Sequence, residues 1–165
     1  MNRLDHACTV SLLVLLFNTY AAAQERGTTK MTKQAPVVVF VCEHGSAKSV
    51  VAAAHFNYLA RERNLKLRAI SRGTNPDEEI APKAAEGLKA DGLAAGPEKP
   101  KRLSKADVAK AVRVIAFCQL PRAYSNAAFV EQWNDVPPLS EDYNKAREAI
   151  VEHIRRLLDE LRSGR

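Results

Sequence analysis

The sequence is poor in cysteine. The three cysteines among its 165 residues are Cys8, Cys42 and Cys118. None of them stands in a spacing that metal ligands use, and His44, His55 and His153 do not cluster with them along the chain. We therefore predict neither a structural metal nor a cofactor. Cys42 and Cys118 could form a single disulfide, if the compartment is oxidising.

Long hydrophobic runs are also missing. The apolar run at residues 10–17 is far shorter than the roughly 20 residues that a membrane-spanning helix needs. It follows a segment that contains Arg3 and precedes the small residues 21–23, a layout typical of a secretory signal peptide over residues 1–23. We therefore expect an exported protein, periplasmic or secreted, with no stable membrane span in its mature form. Residues 24–34 are polar and predict a disordered lead-in, and residues 35–165 predict one domain.

Aromatic residues make up only 6% of the chain, although its net charge is +6. The basic residues concentrate in 61–72, 99–105 and 147–165, where acidic residues are interleaved with them. No basic run is paired with aromatic residues that could stack on bases, so we expect no nucleic-acid partner. The positive charge is compatible with an anionic substrate and with solvated helix surfaces.

Strand and helix patterns alternate along the rest of the chain. Strands are predicted over residues 36–42, 67–71, 112–118 and, more weakly, 129–133. Helices are predicted over 46–63, 81–90, 104–110 and from 140 or 141 to 162. This alternation predicts an α/β fold, a single doubly wound domain with a four-stranded parallel sheet flanked by helices. A functional site is then expected at the carboxyl ends of the strands.

The first predicted strand and the loop that follows it give the clearest evidence of a chemical function. Residues 37–50 read Val-Val-Val-Phe-Val-Cys-Glu-His-Gly-Ser-Ala-Lys-Ser-Val, so Cys42 ends a buried strand just before a polar loop and a helix. The loop amides and the helix N-terminus favour a bound anion, and a thiol held there becomes a reactive nucleophile. This combination indicates phosphate chemistry. The alternative is a strand-end cysteine that only packs.

The motif from Cys42 to Ser49 resembles the phosphate-binding loop of the low-molecular-weight protein tyrosine phosphatases. It resembles equally that of the related thioredoxin-coupled arsenate reductases. Further elements follow in the order of this superfamily: Arg72-Gly73-Thr74 after a strand, a short helix near residues 103–107, and an acidic-proline segment before the last helix. The resemblance covers about residues 37–161.

The resemblance implies a role for each matching residue. Cys42 would attack phosphorus and form a thiophosphoryl intermediate, and Ser49 would donate a hydrogen bond to its thiolate. Asp135 would be the general acid. Asn134 and Asp135 could instead be simple turn residues, because Val136 separates the acid from the proline that usually follows it. The oxyanion would be bound by Glu43, His44, Gly45, Ser46, Ala47 and Lys48.

Two departures from the phosphatase pattern bear on activity. The family has arginine where this chain has Lys48, and losing one well-placed donor costs on the order of 3 kcal/mol, about a hundredfold or more in rate. The aromatic residues that wall a phosphotyrosine pocket are replaced by Pro137, Pro138 and Leu139. Phosphatase chemistry is therefore better supported than phosphotyrosine as its substrate.

Other residues look more like the arsenate reductase branch. Trp133 lies shortly before Asp135, and Cys118 ends a predicted strand where that branch has a redox cysteine. No later cysteine follows, and Ser125 stands about where one is expected, so an external thiol reductant would be needed. Three hypotheses remain: a phosphatase of phosphorylated substrates, an arsenate-reductase-like oxidoreductase, and a non-catalytic oxyanion-binding or redox-sensing protein in which Cys42 pairs with Cys118.

Overall fold

A computed structural model describes residues 35–96, 99–125 and 129–164. The predicted signal peptide and lead-in lie outside the described residues. No helix in the described part is long and apolar enough to cross a membrane.

All strands of the described chain form one sheet, and every pairing within it is parallel. The strands are β1 Val37–Cys42, β2 Arg68–Gly73, β3 Ala111–Ala116 and β4 Val130–Gln132, in the spatial order β2-β1-β3-β4. The helices are α1 Lys48–Glu62, α2 Pro82–Ala90, α3 Lys105–Lys110, α4 Arg122–Ser125 and α5 Tyr143–Ser163. The predicted α/β class and four-stranded parallel sheet are confirmed.

Strand β1 lies in the middle of the sheet because its residues are apolar on both faces, as strands covered by helices on both sides require. Val38 and Phe40 pack into the larger core, which also contains residues of α1 and α5. Val39 and Val41 pack into the smaller core on the other face, with Leu103. The alternation of side chains along β1 thus joins the two helical layers and places Cys42 at the end of the strand.

The boundaries of some helices and strands differ from the sequence prediction. Helix α1 begins at Lys48 rather than at residue 46, and β2 continues to Gly73. The short helix α4 was not predicted. The predicted start of α3 is confirmed, because Ser104 accepts a hydrogen bond from the Asp107 N–H and donates its own N–H to the Asp107 carboxylate.

A polar cluster around Asp91 joins three helices beside the larger core. Its carboxylate accepts hydrogen bonds from the Tyr143 hydroxyl at 2.7 Å and from Arg147 at 3.0 Å, and lies 3.2 Å from His55 Nε2. Burial lowers the pKa of His55, although the neighbouring Asp91 carboxylate opposes the shift. Because Asp91 follows α2 directly, the cluster anchors the end of α2 to α1 and α5.

The close contact between α2 and Tyr143 predicts an unusual glycine effect. A Cβ on Gly87 would overlap the Tyr143 ring, so Gly87→Ala should destabilise the protein by about 1–3 kcal/mol. In an unobstructed helix the same change would stabilise by roughly 1 kcal/mol. In urea unfolding, Gly87→Ala should therefore lower the stability of the wild-type protein but not that of the Tyr143→Ala variant. An equal loss in both backgrounds would contradict the contact.

Candidate active site

The turn between β1 and α1 is held in place by hydrogen bonds to its carbonyl groups. We call residues 42–49 the cysteine loop. Its carbonyls at residues 42, 43, 44 and 46 accept hydrogen bonds of 2.8–3.2 Å from the N–H groups of residues 74, 75, 77 and 81. In a planar trans peptide the carbonyl and the next N–H point in opposite directions. These contacts therefore turn the N–H groups of residues 43, 44, 45 and 47 towards the other side of the loop.

Several N–H groups of the cysteine loop are left for a ligand, whereas that of Gly45 donates to the Cys42 sulfur. In the described part of the chain, the N–H groups of residues 43, 44, 46 and 47 donate to no protein acceptor. The helix N-cap, Ala47, has no side-chain capping bond either. Unpaired amides next to a helix N-terminus carry partial positive charge and favour an oxyanion. The cysteine loop thus has the geometry of an anion-binding site.

Cys42 lies at the base of this loop, almost fully buried. Its Sγ accepts a hydrogen bond from the Gly45 N–H at 3.2 Å and lies 3.1 Å from the Ser49 hydroxyl, which is itself fully buried. The Gly45 N–H and the Ser49 hydroxyl can both donate to a thiolate, and a charged acceptor makes stronger hydrogen bonds than a neutral one. The structure therefore brings Ser49 to the sulfur, where the sequence analysis expected a donor.

Two glycines allow the cysteine loop to approach the end of β2. Gly45 has φ +63°, and a Cβ there would lie 2.8 Å from the Gly73 nitrogen. A Cβ on Gly73 would lie 2.8 Å from the Gly45 nitrogen in return. Any side chain at either position would separate the two backbones and disturb the loop.

A cavity of about 390 Å³ opens beside Cys42. Apolar groups form much of its wall: Ala47, Ala81, Ala84, Phe117, Pro138 and Leu139. Polar groups complete it: Glu43, His44, Lys48, Lys83, Cys118 and Ser140. The cavity can accept an anionic group at the loop and an apolar group against the wall.

Lys48 spans this cavity from the first turn of α1. Its Nζ donates a hydrogen bond to the Val136 carbonyl at 3.0 Å and lies 5.9 Å from the centroid of the Phe117 ring. The ammonium therefore joins the cysteine loop to the segment before α5. An oxyanion in the loop would compete with one neutral carbonyl for this cation.

Asp135 is not placed where the sequence analysis expected a general acid. It does not line the cavity, its side chain is 67% exposed, and its carboxylate lies 2.8 and 3.0 Å from His153 Nε2. The hydrogen bond with His153 lowers the pKa of Asp135, which favours the ionised form that cannot donate a proton. His153 is itself held by stacking on the buried Trp133, at 4.5 Å between ring centroids.

The structure brings Cys42, Cys118 and His44 to one cavity. Cys118 follows β3 rather than belonging to it, and Cys42 and Cys118 are both free thiols. Burial and the nearby Cys42 raise the pKa of Cys118. His44, which the sequence analysis placed in the same motif as Cys42, lines this cavity too. Within the described residues, no group of three or more histidine, cysteine or acidic side chains could hold a metal ion.

Asp77 is a polar contact of the loop that the sequence analysis missed. One carboxylate oxygen lies 3.0 Å from His44 Nδ1, and the other accepts a hydrogen bond from the buried Ser46 hydroxyl at 2.7 Å. No sequence pattern relates position 77 to the loop, because the two meet only after β2 pairs with β1.

Comparison with known proteins agrees with the family resemblance found in the sequence. A family model described as low molecular weight phosphotyrosine protein phosphatase matches residues 37–163. No curated protein sequence matches the chain significantly.

Solved structures with the same fold include both enzyme types of the expected superfamily. YfkJ from Bacillus subtilis is 19% identical, with a TM-score of 0.70 over 79% of this chain and 96% of that one. The low molecular weight protein tyrosine phosphatase from T. tengcongensis is 22% identical, with a TM-score of 0.65 over 76% and 99%. The thioredoxin-dependent arsenate reductase from Corynebacterium glutamicum is 22% identical, with a TM-score of 0.63 over 82% and 66%. At these identities the likeness concerns the fold.

The close contact between Gly45 and Gly73 predicts that alanine costs more stability at Gly45 than at Gly92, another glycine with positive φ. Gly45 and Gly92 have φ +63° and +72°, but a Cβ on Gly92 would meet nothing within 4 Å. Alanine at either position costs about 1–2 kcal/mol of backbone strain. Gly45→Ala should lose roughly 1–3 kcal/mol more, because the cysteine loop must move away from β2. Equal losses for the two variants in urea unfolding would contradict this account.

The contact between sulfur and hydroxyl predicts a change in thiol reactivity. Ser49→Ala should slow iodoacetamide alkylation of Cys42 at neutral pH by roughly tenfold, because a hydrogen bond to a charged group is worth about 1.5 kcal/mol or more. Peptide-resolved mass spectrometry separates Cys42 from the other cysteines. Ser71→Ala is the control, since Ser71 is also buried but lines another cavity. An unchanged rate in Ser49→Ala would exclude the proposed support of the thiolate.

Proposed function

The chain belongs to the low molecular weight phosphotyrosine protein phosphatase family, and from this premise we propose that it hydrolyses phosphomonoesters with Cys42 as nucleophile. One observation carries the proposal. The Cys42 sulfur lies at the base of a loop whose N–H groups at residues 43, 44, 46 and 47 find no acceptor among the described residues. A nucleophile beside unpaired donors is the arrangement that phosphoryl transfer requires, because negative charge must be held while the sulfur attacks.

In the first proposed step the Cys42 thiolate attacks phosphorus. The sulfur–phosphorus bond forms as the bond to the leaving oxygen breaks, and the loop amides bind the equatorial oxygens. Water then attacks the thiophosphoryl group, which releases inorganic phosphate and restores the thiolate. Ser49 supports the thiolate in both its attacking and its leaving role, since its hydroxyl lies 3.1 Å from the sulfur.

Lys48 is proposed to be a weakened substitute for the arginine of the family pattern. Its ammonium can reach an oxyanion only by giving up or sharing the hydrogen bond with the Val136 carbonyl. An arginine could hold two oxygens at once through its planar fork, whereas lysine offers a single charged group. We therefore expect slow turnover with anion binding better preserved than catalysis.

The apolar wall beside the loop supports an aryl or alkyl phosphate as substrate. Phe117, Pro138 and Leu139 can contact the organic part of such an ester. We also propose that the enzyme acts outside the cytoplasm, as the layout of residues 1–23 suggests. In that case Cys42 needs a reducing partner to remain a thiolate.

A second candidate function is arsenate reduction, and the position of Cys118 favours it. Cys118 lines the same cavity as Cys42. Cys42 would displace water from arsenate, and a second thiol would then attack the Cys42 sulfur. That step releases arsenite and forms a disulfide, so two thiols supply the two electrons. An external thiol must reduce the disulfide, or act as the second thiol itself, before another turnover.

The decisive assay is hydrolysis of an aryl phosphate by the thiol-reduced protein. Cys42→Ser should abolish activity because it removes the nucleophile. Lys48→Arg should raise the rate about a hundredfold, the effect of one well-placed donor. Lys89→Arg, on the exposed face of α2, is the matched control and should change nothing.

Other outcomes separate the alternatives. Activity that survives Cys42→Ser would contradict the proposed nucleophile. Arsenite production that needs an added thiol, without ester hydrolysis, would support the reductase instead. Stabilisation by inorganic phosphate in thermal unfolding, without turnover of either substrate, would indicate a non-catalytic oxyanion-binding protein.

A further inference from the structure

We propose that His44, oriented by Asp77, carries the proton to and from the reacting oxygen. This inference rests on the proposed phosphomonoesterase function and deepens it. The starting point is that the reaction needs a proton donor for the leaving oxygen, and the structure does not bring Asp135 to the cavity. His44 is the histidine of the described chain that lines this cavity.

The contacts of Asp77 determine which nitrogen of His44 is free. One Asp77 oxygen lies 3.0 Å from His44 Nδ1, and the other is held by the buried Ser46 hydroxyl at 2.7 Å. A carboxylate in this position keeps a proton on Nδ1, so Nε2 is the nitrogen that exchanges protons with a ligand. The Glu43 carboxylate lies 4.0 Å from Nε2, beyond hydrogen-bond distance.

The side-chain pair is not needed to hold the loop. The Asp77 N–H already donates to the His44 carbonyl at 3.0 Å, and the neighbouring N–H of Asn75 donates to the Glu43 carbonyl at 2.8 Å. These backbone bonds fasten the cysteine loop to the turn after β2 without the imidazole. The pair formed by His44 and Asp77 is therefore free to act on a ligand, as a base and its orienting carboxylate do in other hydrolases.

The exposure of His44 suits the position of a leaving group. In-line attack places the leaving oxygen on the side of phosphorus opposite the sulfur, towards the cavity mouth. The Cys42 sulfur is buried, whereas the His44 side chain is 53% exposed on the rim of the same cavity. A proton donor is required on this outer side of the phosphoryl group.

The proposed proton transfers balance over the two steps. The form of His44 that can act as the donor carries a proton on each ring nitrogen. As the phosphorus–oxygen bond breaks, the Nε2 proton passes to the leaving oxygen and an alcohol departs. The neutral imidazole then takes a proton from water as its oxygen attacks phosphorus and the sulfur–phosphorus bond breaks. Inorganic phosphate leaves, and both the thiolate and the protonated His44 are restored.

Leaving groups of different basicity test this role. Nitrophenolate departs readily without a proton, whereas phenolate, about as basic as the tyrosine side chain, needs one. His44→Gln should therefore lower kcat/KM for phenyl phosphate roughly a hundredfold, the usual size of a general-acid effect, and for p-nitrophenyl phosphate by less than about tenfold. Asp77→Asn should lower the phenyl phosphate rate selectively but less, because the imidazole remains and only its orientation is lost.

Asp135→Asn is the competing variant, and it should affect the two substrates equally. An equal loss on both substrates in His44→Gln and in Asp77→Asn would overturn the inference while the phosphatase function stands. A loss selective for phenyl phosphate in Asp135→Asn alone would overturn it too and return the role to that residue. If His44→Gln is unstable, Asp77→Asn alone decides, because its loss of kcat/KM for phenyl phosphate can be compared in the same way with its loss for p-nitrophenyl phosphate. If wild type hydrolyses neither ester, the proposed function fails and the inference fails with it.

Discussion

The site depends on the backbone contact between the cysteine loop and the residues that follow β2. Gly45 and Gly73 approach each other so closely that neither position can carry a side chain without movement. The carbonyls of residues 42, 43, 44 and 46 accept hydrogen bonds from the N–H groups of residues 74, 75, 77 and 81, and the N–H groups that follow these carbonyls are consequently turned to the other side of the loop. Parallel pairing of β1 with β2 brings these two segments together, so the sheet itself assembles the candidate site.

The same contact explains why Asp77 stands beside the loop. The turn after β2 carries Asp77 to His44 and Ser46, and its carboxylate is held from both sides. Lys48 extends in the other direction, from α1 to the Val136 carbonyl. One short loop therefore connects to β2 on one side and to the segment before α5 on the other. A ligand that binds the loop can influence both through these side chains.

Helix α5 provides the partner of Asp135, which does not line the cavity. His153 stacks on Trp133 and lies 2.8 Å from the Asp135 carboxylate. The carboxyl group is thus paired with a histidine on the protein surface, and its lowered pKa follows from that pairing. A family acid at this position would have to leave His153 before it could reach a substrate.

The sequence by itself determined the fold, the family resemblance and the position of the candidate nucleophile. The apolar residues before Cys42 predict a buried strand, and Ser104 with Asp107 predicts the start of α3, because these signals are local. The partners of Asp77, Lys48 and Asp135 were decided only by tertiary structure. Each of these side chains meets a group distant in the sequence, and the shapes of the packed segments decide which groups lie within hydrogen-bond distance.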